Sequence, residues 1–248
     1  MKKIYFLSDA HLGSWAIEHP RTHERRLVSF LDKIKDEAAA VYMLGDMFDF
    51  WYEYRYAVPK GFTRFLGKVS ELTDRGVEIH FFTGNHDMWC RDYFEKECGM
   101  HLHLKGEDVT LAGRHLHLAH GDNLNVGNKP MLRLMNSAFR SSFMRALFSW
   151  LVHPNLALRF GKWWSGKSRK SHNSSNITPA SLGFLIEAAK QTKALSPSVD
   201  YVIFGHMHLP HIHREADLSV YFLGTWEDDR GSYAQMDGEG NIELKTFQ

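Results

Sequence analysis

Three short apolar runs open the chain, Lys3 to Leu7, Ala40 to Leu44 and Val77 to Thr83, and each stops on a polar cluster: SDAH (Ser8 to His11), GDMFD (Gly45 to Asp49) and GNHD (Gly84 to Asp87). Between them lie two segments with apolar residues at helical spacing. The first carries Leu27, Phe30, Leu31 and Ile34; the second carries Phe62, Phe65, Leu66, Val69 and Leu72 and is ended by Gly76. Strand and helix in alternation predict right-handed βαβ units, and so a largely parallel sheet with helices packed against it. In an open α/β sheet ligands gather at the carboxyl ends of the strands, so the three polar clusters are expected to meet in one crevice.

Beyond residue 100 the texture changes to strands without intervening helices. Asp108 to Leu111 and Arg114 to Ala119 flank the Ala112-Gly113 turn, and the second run ends in His120-Gly121-Asp122. After a helix expected from Pro179 to about Ala194, Val199 to Phe204 is an apolar strand ending in Gly205-His206-Met207-His208. Leu218 to Leu223, Tyr233 to Met236 and Ile242 to Phe247 read as a closing antiparallel meander. Glycine stands immediately before Asp46, Asn85 and His206 and immediately after His120, which suits turns where backbone must come close to a bound ion.

Five strand ends thus carry His, Asp or Asn. Any one of them fits a capped turn better than a metal site, but the five together reverse that preference. Carboxylate, imidazole and amide oxygen without thiolate form a set suited to Mn²⁺, Fe²⁺ or Zn²⁺. Two such ions need a bridging ligand, for which the carboxylate of Asp46 is the natural choice. Only Asp9 and Asp46 among the seven candidate ligands are anionic, so a loaded site would be net positive and attract phosphate. His101, His103, His115 and His117 alternate with Leu and read as solvent-side strand residues, His211 and His213 as surface residues, and Asp49 as a brace for a ligand histidine or its turn.

The ordered set DxH, GDxxD, GNHD, His-Gly-Asp and GHxH resembles the calcineurin-like metallophosphoesterases. The resemblance implies a four-layer αββα sandwich. It also implies that Asp9, His11, Asp46 and His208 hold one ion and Asp46, Asn85, His120 and His206 the other. His86 would lie beside the leaving group, and His86 and Asp46 would be the catalytic residues.

The 248 residues suffice for one such domain with an elaboration, and 44% apolar content supplies a core. Cys90 and Cys98 form no disulfide framework or zinc-finger spacing, which fits a reducing cytosol. The N-terminal apolar run is stopped by Ser8 and Asp9, so no signal peptide is read, and no run is long enough to span a membrane. Net charge is only +1, but between Asp122 and Glu187 nine basic residues stand without one acidic partner. They are interleaved with Phe139, Phe143, Phe148, Trp150, Phe160, Trp163, Trp164 and several Met and Leu. This insert, residues 123–177, reads as helices from Met131 to Val152 and from Asn155 to about Trp164, followed by the polar loop SGKSRKSHNSSN; residues 1–122 and 178–248 form the core. A basic, aromatic-rich segment beside a phosphate-processing centre suggests an amphiphilic anionic substrate or a membrane surface, with nucleic acid as the rival partner.

Among metallophosphoesterases the inserted cap after HGD, the DMFDFW run (Asp46 to Trp51) and LGTW (Leu223 to Trp226) are similar to the UDP-2,3-diacylglucosamine diphosphatases of bacterial lipid A biosynthesis. That likeness implies Mn²⁺-dependent cleavage of a nucleotide-lipid pyrophosphate to UMP and an acylated sugar phosphate. It implies peripheral binding to the cytoplasmic face of the inner membrane, and neither nucleic acid nor an obligate protein partner. Substrate contacts would come from Asn85, His86, Asp122, Ser168, His172 and His206. Typical members read GNRD where this chain has GNHD. Two other readings remain: a metallophosphoesterase for a different nucleotide pyrophosphate or phosphodiester, and a non-catalytic binding module on the same fold.

Overall fold

The computed structural model describes residues 2–122, 124, 141–171 and 178–248, with backbone alone for Ser142, Lys162, Trp164 and residues 166–171. Strand β1 (Lys3–Leu7), helix α1 (Pro20–Ile34), β2 (Ala38–Leu44), α2 (Thr63–Asp74), β3 (Glu78–Phe82), α3 (Tyr93–Cys98) and β4 (His101–His103) follow in order. β1 to β4 pair in parallel as neighbours, which confirms the alternation read from the sequence. Then come β5 (Glu107–Leu111), β6 (Arg114–Ala119), α4 (Ser142–Leu151), α5 (Pro154–Ser171), a 3₁₀ turn (Pro179–Leu182), α6 (Gly183–Leu195), β7 (Tyr201–Phe204), β8 (Pro210–Arg214), β9 (Ser219–Leu223), β10 (Gly231–Met236) and β11 (Ile242–Phe247). One sheet has the order β11-β10-β1-β2-β3-β4 and the other β5-β6-β7-β9-β8.

Three apolar clusters lie between successive layers. Leu27, Phe30 and Leu31 of α1 and Phe65, Val69 and Leu72 of α2 pack on Tyr5, Leu7, Val41 and Ile79 of the first sheet. The alternate residues Phe6, Tyr42, Leu44 and Phe82 face Leu116, Leu118, Ile203 and Tyr221 of the second sheet. On the far side Leu182, Leu185 and Ala189 cover Val202, Phe204, Val220 and Phe222. The period-two alternation of strand side chains therefore generates four layers, α-β-β-α, from one chain.

Two buried carboxylates fix the helices to the body. α2 has no capping side chain of its own, and Glu24 of α1 accepts from Arg64 N (3.1 Å) and Phe65 N (3.2 Å) instead. Glu53 does the same for α3, accepting from Arg91 N, Asp92 N and Tyr93 N at 2.7, 3.0 and 3.1 Å. Each satisfies orphan N–H groups and places negative charge at a helix N-terminus.

The structure departs from the sequence expectations in several places, among them the helix α3, which the sequence does not announce. The meander is split: β9 (Ser219–Leu223) lies in the second sheet beside β7, whereas β10 (Gly231–Met236) and β11 form a hairpin on the edge of the first. β9 instead pairs antiparallel with β8 (Pro210–Arg214), a strand whose leading proline and two histidines concealed it. The segment expected as a polar loop is helical from Ser165 to Ser171, because an existing helix propagates at little cost through Lys and Arg even when Ser and Gly intervene. Of the helix expected from Met131, Ser142–Leu151 is α4, and residues 131–140 lie outside the described residues.

Both insert helices dock on the loop after β2. Tyr52 Oη donates to Arg145 O (3.0 Å) and meets Ser149 Oγ (2.8 Å), and Tyr54 Oη donates to Val152 O (2.8 Å). A Cβ on Gly161 of α5 would lie 2.3 Å from the Phe50 ring, so the helix backbone rests directly on that ring.

Candidate metal centre

Asp9 and His11 follow β1, Asp46 follows β2, Asn85 and His86 follow β3, His120 follows β6, and His206 and His208 follow β7. The carboxyl ends of parallel strands in both sheets bring these residues together, as the sequence leads one to expect. Donor atoms of Asp9, His11 and His208 lie within 4.8 Å of one another, as do those of Asp46, His120 and His206, and those of His11, Asp46 and His86. Asp46 belongs to two of these groups.

The backbone is distorted to achieve this. Asp9, His11, Asp46, His206 and His208 have φ of 54°, 44°, 53°, 68° and 54°, and among the described residues only Phe62 and Ala112 are other non-glycine residues at positive φ. Positive φ costs a residue with a Cβ free energy, so its concentration at the candidate ligands marks a site that the surrounding packing holds in place. Gly84 allows the loops to close: a Cβ there would stand 2.2 Å from Asp46 Oδ1. Gly205 has the same function beside Asp9, whose Oδ2 would be 2.9 Å from an added Cβ.

Within the first group His208 Nε2 lies 3.2 Å from Asp9 Oδ1 and 3.1 Å from His11 Nε2. In the second, His120 Nε2 lies 3.3 Å from both Asp46 Oδ2 and Asn85 Oδ1. The outer ring nitrogens have their own partners. His120 Nδ1–H donates to Leu44 O (2.8 Å), His86 Nδ1–H to Asp49 O (2.8 Å), His208 Nδ1 faces Glu227 Oε2 (3.3 Å) and His11 Nδ1 faces Asp49 Oδ1 (3.8 Å). A carboxylate or carbonyl behind an imidazole fixes the tautomer and leaves the inner nitrogen for an ion.

Asp87 closes the loop. Its buried carboxylate accepts from Gly84 N (2.7 Å), Asp46 N (3.3 Å), Met47 N (2.8 Å) and Phe48 N (3.4 Å), which locks the GNHD and GDMFD turns to each other.

The electrostatics fit a cation. Burial opposes charge on Asp46, but His120 and His86 beside it hold the carboxyl well below the usual range. Burial likewise disfavours charge on His208, yet Asp9 and Glu227 push its pKa up to about 10. Burial and the neighbouring His120 push His206 down to about 4. Without an ion, protons take the place of positive charge that the two carboxylates demand. Asp9 Oδ1 is buried and faces His208 Nε2 at 3.2 Å and His11 Nε2 at 3.8 Å, the cluster of donor atoms expected around a cation. The donor set therefore fits two divalent ions, with Asp9, His11, Asp46 and His208 able to hold one and Asp46, Asn85, His120 and His206 the other.

Of the other expected contacts, Asp122 is half-buried next to the centre and its charge acts on His120 and His206. Ser168 lies on α5 with its side chain outside the described residues, and His172 lies outside them altogether. Glu227 was not singled out from the sequence. Its only signal is its place directly after LGTW, whose Thr225 Oγ1 and Trp226 N both donate to Asp9 O, at 3.0 and 3.1 Å.

Beside the centre, Phe50, Tyr52, Trp89, Met144, Phe148 and Phe160 line an apolar pocket of about 130 Å³ between the insert helices and the body. Phe143, Trp150, Leu151, Leu156 and Trp163 of the same helices are more than half exposed.

The calcineurin-like phosphoesterase family matches residues 2–210. A UDP-2,3-diacylglucosamine hydrolase of Porphyromonas gingivalis is 46% identical over 249 residues, covering 95% of this chain and 94% of the relative. Namesakes from Neisseria gonorrhoeae and Haemophilus influenzae are 29% and 26% identical, each over 98% of this chain.

Proposed function

Because this chain belongs to the calcineurin-like phosphoesterase family, we propose that it hydrolyses the pyrophosphate of UDP-2,3-diacylglucosamine, releasing UMP and 2,3-diacylglucosamine 1-phosphate in lipid A biosynthesis. The observation that carries the lipid half is the apolar pocket under α4 and α5: Phe50 and Trp89 in its wall stand on the same two loops as Asp46 and His86. A soluble nucleotide has no use for such a wall beside the reacting phosphorus. The near-complete overlap with a relative of that name supports the same substrate.

Bound divalent ions, Mn²⁺ in our reading, supply Lewis-acid charge to phosphate oxygens and lower the pKa of water. The chain's own residues do the rest. Asp9 and Asp46 are the two anionic ligands, so the site keeps a positive balance that holds the substrate's phosphates. Asn85 adds a neutral oxygen without reducing that balance. His86, held through Nδ1–H by Asp49 O, turns Nε2 toward Asp46 and the reacting centre. When protonated there it neutralises charge on the departing sugar phosphate. That group leaves without a proton from the protein, so His86 acts as a clamp rather than an obligatory acid.

The acyl chains lie between insert and body, and the basic, aromatic face of residues 123–177 rests on the cytoplasmic surface of the inner membrane. The exposed Phe143, Trp150 and Trp163 support this. No helix among the described residues is long and apolar enough to cross a membrane. Sugar and phosphate contacts come from Asn85, His86, Asp122 and His206, with Ser168 and His172 contributed by the insert.

The test is hydrolysis by purified protein with Mn²⁺ of UDP-2,3-diacylglucosamine beside UDP-sugars and bis-p-nitrophenyl phosphate. Turnover of the lipid in clear excess over the soluble compounds is expected. Activity confined to the soluble compounds would refute the lipid reading and favour a phosphoesterase of another specificity.

A further inference from the structure

A second cavity, of about 250 Å³, opens where the turn between β4 and β5 meets the carboxyl end of β6, and it reaches the centre through His120 and Asp122. It shares no residue with the apolar pocket. Its character is mixed: Leu104 forms an apolar wall, while Thr83, Lys105, His117 and Asp122 bring a hydroxyl, a cation, an imidazole and a carboxylate.

His117 is the feature that general packing does not explain. The sequence suggests a solvent-side residue, yet it lines this cavity and its Nδ1 lies 2.6 Å from Asp108 Oδ1. Asp108 is itself held by Ser196 Oγ at 3.2 Å. A carboxylate behind Nδ1 fixes that proton and leaves Nε2 to face a ligand as an acceptor. Nε2 stands on the side of Gly106, 3.3 Å from where a Cβ on that glycine would be, and the same Cβ would strike Ala119 Cβ at 2.8 Å. The turn carrying Lys105 is therefore pressed against β6, and Lys105 and His117 border the same space.

We propose that this cavity takes the nucleoside of the substrate, an inference that rests on the nucleotide-lipid reading above and assigns its other half. A pyrimidine nucleoside offers an imide N–H for His117 Nε2, a ring carbonyl for Lys105 and a ribose cis-diol for the carboxylate of Asp122. A lipid chain could satisfy none of these groups and would bury the Lys105 ammonium and His117 Nε2 without partners. The substrate then runs from nucleoside cavity through the metal centre to the apolar pocket, and its pyrophosphate falls between them.

The experiment is isothermal titration of the manganese-loaded protein with UMP and, separately, with inorganic phosphate. His117→Ala and Lys105→Glu are compared with the parent chain, and UDP-2,3-diacylglucosamine hydrolysis is assayed in parallel. UMP is expected to bind at least about tenfold more tightly than phosphate, and each variant to reduce that advantage by about tenfold, the size of one lost polar contact. Lys105 is exposed, so the second variant reads the site even if the first unfolds. No advantage of UMP over phosphate, or an advantage intact in the folded variants, would overturn the assignment. If the lipid substrate is not cleaved while the UMP advantage falls in the variants, the nucleoside cavity stands and the lipid reading fails.

Discussion

Nδ1 of His208 lies 3.3 Å from Oε2 of Glu227, and the turn that carries Glu227 also holds Asp9 through Thr225 and Trp226. One turn thus supports two of the residues able to hold the same ion. Glu227→Ala should weaken manganese binding at that site by about 10- to 100-fold while the other ion stays, the usual effect of losing the partner behind a ligand imidazole. Manganese content after dialysis, with the electron paramagnetic resonance change from a coupled pair to a single ion, reads this directly. Two ions retained at parent affinity would mean that Glu227 only braces the fold.

Asp87 accepts four backbone N–H groups from two loops. Asp87→Ala leaves those donors buried and unsatisfied, and should destabilise the protein by about 3 kcal/mol or more, since each orphaned donor costs roughly 1–3 kcal/mol. Urea denaturation of the metal-free protein measures it. A loss under about 1 kcal/mol would show that water replaces the carboxylate.

The histidines on β3 and β4 predict a pH dependence away from the active centre. His80 stacks on Tyr42 at 4.3 Å and on His101 at 4.9 Å, and its Nδ1 meets His103 Nε2 at 3.0 Å, while Glu78 lies 3.8 Å from Nε2. Burial, then the charges of His103 and His101, push its pKa from 6.5 down to about 4. The unfolded chain therefore binds this proton more readily than the folded one. Stability is complete above pH 6.5 and falls as pH drops toward 4. His80→Phe should flatten that part of the stability profile. An unchanged slope in the variant would assign acid sensitivity elsewhere.

His86 separates two kinds of substrate. His86→Ala should retain substantial turnover of UDP-2,3-diacylglucosamine, because a phosphate monoester leaves without a proton, and lose far more on an alkyl phosphodiester, whose alkoxide needs one. A loss on the lipid substrate as deep as that of Asp46→Ala would contradict the clamp role.

The seven candidate ligands were legible because each sits at the end of an apolar run, and parallel strands place such ends together whatever lies between. The four layers followed from the same alternation. What the sequence concealed was long-range support. Glu227 and Asp108 act on histidines only after the strands assemble, and no local pattern ties Glu227 to His208 or distinguishes His117 from His115 one alternation away. β8 was hidden by Pro210, and the split of the meander by the absence of any signal that says which sheet a hairpin joins. The helical end of α5 is hidden by its Ser, Gly and Lys composition, which the helix already running into it overrides.

Hydrolysis by the proposed route takes place at the phosphorus of the nucleotide half. It is tested most directly by turnover of UDP-2,3-diacylglucosamine with Mn²⁺ in ¹⁸O-labelled water, followed by mass spectrometry of both products. Label is expected in UMP and none in the acylated sugar phosphate. Label in the sugar phosphate, or no turnover by a protein that binds manganese and cleaves bis-p-nitrophenyl phosphate, would contradict it.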